Sequence, residues 1–92
     1  MNESLLEAYY HKRGFSENEL KEALKVIKTA EWHFADKEMT FGSATVDDVR
    51  AYVQEMRPLE LSALLAMARY FYLIGQNEIY IYFTALLSGR AH

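Results

Sequence analysis

From Leu61 to Ile74 the chain is apolar on nearly every side of a helical wheel, with Leu61, Leu64, Leu65, Ala68, Phe71 and Tyr72 spread around it. A helix with no polar face belongs at the centre of a bundle. Ser62 and Arg69 interrupt the stretch, and it falls short of the roughly 20 apolar residues needed to cross a bilayer. The segment therefore argues for an all-α domain built around a helix from about Leu59 to Ile74, and against a membrane protein.

The rest of the chain is punctuated to match. A first helix is expected from Asn2 or Glu3 to Arg13, with Leu5, Leu6, Tyr9 and Tyr10 apolar and Gly14 as the left-handed residue that closes it. Ser16 and Glu19 form a capping box, and Phe15 with Leu20 suits the hydrophobic staple beside it. Leu20, Ala23, Leu24, Ile27, Ala30 and Phe34 then recur at amphipathic spacing, predicting a long helix that ends near Asp36 or Lys37. Residues 38–44 read as a loop anchored by Met39 and Phe41. Thr45 and Asp48 open a third helix with the stripe Val46, Val49, Tyr52, Val53 and Met56, and Pro58 ends it or starts the next. After Gly75, Asn77 is expected to cap a last helix from Glu78 to Leu87, closed by Gly89. Ile79-Tyr80-Ile81-Tyr82-Phe83 has strand propensity, yet Ile79, Phe83, Leu86 and Leu87 share one helical face, which favours helix. Ninety-two residues, 51% of them hydrophobic, suffice for one domain with its own core.

Composition narrows function mainly by exclusion. The chain has no cysteine, so disulfides, thiolate metal sites and cysteine nucleophiles are ruled out. The start, Met-Asn-Glu-Ser-Leu-Leu-Glu, lacks the cationic and long apolar parts of a signal peptide, which predicts a cytoplasmic protein. Glu7 and His11 share a helix face but supply only two ligands where a metal needs three or four, so no metal or other cofactor is expected. His33, between Trp32 and Phe34, suits a partly buried helix position better than a catalytic base, and the terminal His92 is expected to fray. No phosphate loop, nucleophile elbow or carboxylate pair occurs, and a tyrosine nucleophile would need converging cations that the apolar C-terminal third does not offer. The expectation is a protein that is not an enzyme and takes no small-molecule substrate.

Charge leaves one feature of interest. Ten basic residues against 13 acidic give a net charge of −3, so contact with nucleic acid would have to rest on local clustering. Lys21, Lys25 and Lys28 stand at i, i+4, i+7 on the second helix, away from its Leu20/Leu24/Ile27 face, and Lys12 and Arg13 precede them across a short turn. Such a stripe can follow a phosphate backbone. It can equally be a solvated face with pairs such as Glu17–Lys21, each worth roughly a few tenths of a kcal/mol. A separate feature favours a protein partner or a homodimer: Tyr70, Tyr80 and Tyr82 exceed what a small core absorbs, and tyrosine is enriched at interfaces.

From Phe15 to Leu73 the order of signals resembles the N-terminal SAM-like, or core-binding, domain of tyrosine recombinases and phage integrases. The resemblance rests on the Ser16-Glu17-Asn18-Glu19-Leu20 helix start and on Trp32 and Phe34 near the end of a long helix. It continues in Ala44-Thr45-Val46-Asp47-Asp48-Val49-Arg50-Ala51-Tyr52 and in Leu65-Ala66-Met67-Ala68-Arg69-Tyr70-Phe71-Tyr72. It implies a small four- to five-helix orthogonal bundle that lies against DNA as an accessory to a catalytic domain. The family's contacts from its second and fourth helices would put Lys21, Lys25, Lys28 and also Arg69 near phosphates.

Overall fold

The computed structural model describes residues 1–89, which form five α-helices: α1 Glu3–Lys12, α2 Glu17–Asp36, α3 Val46–Glu55, α4 Leu61–Leu73 and α5 Asn77–Leu87. The expectation of an all-α bundle is met; His92, expected to fray, lies outside the described residues.

The helix starts follow from local hydrogen bonding. Asn2 Oδ1 accepts from Leu5 N at the head of α1. In the Ser16 box, Ser16 Oγ accepts from Glu19 N and Glu19 Oε1 accepts from Ser16 N, both at 3.1 Å. Thr45 and Asp48 do the same for α3 at 3.2 and 2.8 Å. Each box satisfies amide donors that the first helical turn leaves unpaired. Gly14, at φ +77°, makes the left-handed turn that separates α1 from α2.

Two local expectations are corrected. Pro58 lies in the connection between α3 and α4, and Glu60, not proline, stands at the head of α4. Asn77 is the first residue inside α5 rather than its cap. The cap residue is Gln76, whose Nε2 donates to the carbonyls of Phe41 (2.7 Å) and Gly42 (3.2 Å) and so ties the α2–α3 loop to the start of α5. Phe15 packs its ring 4.8 Å from that of Tyr10 of α1.

α4 packs most extensively on α5 and also touches α2 and α1, while α3 rests on α5. The expectation that α4 is buried all round is corrected: only one side of it is buried, with Leu61 exposed near one end and Tyr72, 54% exposed, near the other. Tyr70 and Phe71 are fully buried in a run of edge-on rings: Phe41 lies 5.6 Å from Tyr70 and 5.2 Å from Phe71, and Phe34 lies 5.5 Å from both Phe41 and Tyr52. Phe83 of α5 stacks on Phe71 at 5.9 Å. Toward the N-terminus, small residues face inward (Ala63, Ala66, Ala68, beside Met67), while Leu61 is 64% exposed and Leu64 and Leu65 are half-buried. Alanines let neighbouring helices approach, and five short helices do not cover every side of a central one. In α5, burial of Ile79 and Phe83 on one face explains why helix prevails over local strand propensity.

Candidate functional site

α2 carries the residues of greatest interest on two adjacent flanks, because its Leu20, Ala23, Ile27, Ala30 and Phe34 face is committed to the core. The first flank forms a groove of about 580 Å³ with the α3–α4 connection and α4. Buried Ala23, Tyr52, Ala63 and Met67 make its floor. Half-buried Val26, Leu59 and Leu65, with the more exposed Met56 and Pro58, make apolar walls. The groove exists because Ala23 and Ala63 stand where larger side chains would close the gap. Its charged lining is the carboxylates of Glu19, Glu22 and Glu60 with the cations of Lys25 and Arg69. Sequence reasoning passed over this site; its available signal was the apolar set Met56, Leu59 and Leu65, beyond what two short helices could bury.

The second flank is the lysine stripe. Lys21, Lys25, Lys28, Leu24, Thr29 and Trp32 line one shallow depression on the outward side of α2. The three lysines are thus brought together, but they are not equivalent. Lys28 Nζ lies 2.7 Å from Glu3 Oε1 of α1, whereas neither Lys21 nor Lys25 has a carboxylate within 4.0 Å among the described residues. Trp32 is 74% exposed here. Its place on the stripe was legible from spacing, since it follows Lys28 by one turn.

The other predicted cations lie elsewhere. Lys12 and Arg13 are exposed at the end of α1 and do not border the depression, and Arg13 sits over the Tyr9 ring at 5.1 Å. Arg69 points inward: its Nη1 donates to the Tyr10 hydroxyl at 3.0 Å, and its guanidinium lies 4.5 Å from the centre of the Phe15 ring. That arrangement holds α4 to α1 and the α1–α2 turn.

Among the tyrosines, Tyr70 is a core residue, 2% exposed, whose hydroxyl accepts from Asn2 N at 2.9 Å. Tyr80 and Tyr82 are half-buried; Tyr80 lies 5.1 Å from Tyr72, and Arg50 sits over Tyr82 at 5.4 Å. Burial raises the hydroxyl pKa of Tyr82, against an opposing pull from Arg50 and Arg57. Burial likewise raises that of Tyr52, which forms part of the groove floor.

His11 pairs with Glu17 at 2.9 Å rather than with Glu7. His33 Nε2 lies 3.2 Å from Glu55 Oε2 without the alignment of a hydrogen bond, and its ring meets Tyr52 edge-on at 4.8 Å. Among the described residues no group of three or more potential ligands is placed to hold a metal, and no helix is long and apolar enough to cross a membrane. Comparison with family models, characterised proteins and solved structures returns no match.

Proposed function

We propose that this chain is a non-catalytic protein-interaction module whose groove between α2 and α4 accepts an apolar partner segment flanked by basic residues. The groove carries the reading. At about 580 Å³ it falls within the range of binding clefts, and its walls are aliphatic side chains left partly in water. The occupant's charge follows from the lining, where three carboxylates stand against two cations, of which Arg69 is turned to the Tyr10 hydroxyl. Complementary rim charge sets partner choice more than affinity.

A synthetic amphipathic peptide, with leucines on one face and lysines at both ends, tests this by calorimetric titration. Saturable binding is expected, with at least a tenfold loss for Leu65→Glu at unchanged helix content, and a smaller loss when the peptide's lysines become glutamates. Equal binding by Leu65→Glu, or none by the parent chain, would overturn the reading. Self-association would appear instead as concentration-dependent sedimentation abolished by the same variant.

A second reading has its own support. Lys21 and Lys25 lack carboxylate partners among the described residues and share the depression with Lys28, an arrangement that suits contact with DNA phosphates by an accessory domain. It predicts affinity that falls with salt, by roughly one unit of log–log slope per phosphate neutralised. Its test is loss of that affinity in the Lys21→Gln, Lys25→Gln variant.

A further inference from the structure

The nucleic-acid reading leaves open which form of strand the α2 flank suits, and Trp32 bears on that choice. A tryptophan side chain is usually well covered, yet this one is 74% exposed, more than any other large hydrophobic residue in the described structure. Lys28, Lys25 and Lys21 follow from it at i−4, i−7 and i−11, so the row extends for roughly 16 Å at 1.5 Å rise per residue. Leu24 forms a half-buried floor beside them, and the Thr29 hydroxyl is tied back to the Lys25 carbonyl at 2.9 Å.

The nearby carboxylates are largely engaged. Glu3 holds Lys28, Glu17 meets His11, and Glu31 meets the Met1 amine. Glu22 stands on the groove side of α2. Lys21 and Lys25 have no carboxylate within 4.0 Å among the described residues, although Lys25 also borders the groove that Glu19, Glu22 and Glu60 line.

We infer that this flank is a platform for single-stranded nucleic acid, with one base stacked on Trp32 and the adjoining phosphates running along Lys28, Lys25 and Lys21. The inference rests on the second reading above, and its platform shares Lys25 with the rim of the groove. An indole face in solvent recognises the flat face of an unstacked base, which a single strand offers and an intact duplex does not. A membrane surface fits less well. Interfacial helices bury a broad apolar face in lipid, and the apolar face of α2 is already spent on the core.

Trp32 is the chain's single tryptophan, so its fluorescence reports on this site alone. The whole chain is titrated at low salt with an oligothymidylate of about 12 nucleotides, within the range of known single-strand sites. A duplex of equal length and phosphatidylserine vesicles are titrated in parallel. Quenching by the single strand and little by the duplex is expected, with a salt slope of roughly 1.5 to 2 if two or three phosphates are neutralised. By anisotropy of a labelled strand, Trp32→Ala and the Lys21→Gln, Lys25→Gln pair should each lose about tenfold or more in affinity. Duplex binding that leaves Trp32 unquenched would overturn this inference and spare the DNA reading, whereas failure of both nucleic acids to bind would overturn both. A blue shift with vesicles alone would assign the flank to lipid and also overturn it.

Discussion

The inward faces of the two halves of α4 are packed in different ways, although each half also leaves one large apolar side chain, Leu61 or Tyr72, exposed. In the C-terminal half, Tyr70 and Phe71 are sealed among Phe41, Phe34 and Phe83, and the volume between helices is filled by rings. In the N-terminal half, alanines face the interior while Leu61 and Leu65 look outward or sideways, and the space against α2 stays open as a groove. Hydrophobicity alone does not say whether a residue closes a core or lines a binding surface. The size of the side chain opposite it does. Rings can bridge a gap between helices; the alanines that line the groove, Ala23 and Ala63, cannot.

That contrast can be broken by substitution. Phe71→Ala removes a fully buried ring and should cost about 3–5 kcal/mol in urea unfolding, a large share of the stability of a small domain. Arg69→Met should cost about 1–3 kcal/mol, by removing a charged hydrogen bond to Tyr10 and the contact with Phe15. It should leave binding at the lysine flank unchanged; selective loss of that binding in a fully stable variant would return Arg69 to the nucleic-acid site.

Tyr52 sharpens the comparison from the groove side. Because burial raises its pKa, the folded state holds the phenolic proton more tightly than the unfolded chain does. Its contribution is complete below pH about 10 and is lost as pH rises through the folded-state titration. Tyr52→Phe, which keeps the ring, should show a shallower fall in stability between neutral and strongly alkaline pH. A slope identical to that of the parent chain would contradict the assignment. The smallest effect belongs to Leu61→Ala, expected within about 0.5 kcal/mol because the side chain is 64% exposed.

Much of the fold was legible in the residues because it is written in short-range chemistry. The Ser16–Glu19 and Thr45–Asp48 boxes, the turn at Gly14 and the apolar period of α2 act over a few residues and need no knowledge of the partner helices. What depends on tertiary contact was not legible. Gln76 heads α5 because its amide reaches the carbonyls of Phe41 and Gly42, a pairing 34 or 35 residues away in sequence. The resemblance implied that Arg69 lies near phosphates, yet it lies against Tyr10 and Phe15, and Lys28 meets a carboxylate of α1. Of the candidate site, the stripe Lys21, Lys25, Lys28 could be read from spacing on one helix. The groove was signalled only by the surplus apolar residues Met56, Leu59 and Leu65, and its shape was not legible because separated segments meet to form it.

The open part of α4 is proposed to be a binding surface rather than a loosely packed edge. Methyl-resolved NMR of the whole chain, titrated with the leucine- and lysine-bearing peptide, addresses it directly. Saturable shifts should concentrate on Val26, Leu59, Leu65 and the Met56 and Met67 methyls, with Ile27 and Ile79 in the sealed core unmoved. Shifts spread evenly over both halves of the bundle, or none at the groove methyls, would contradict it.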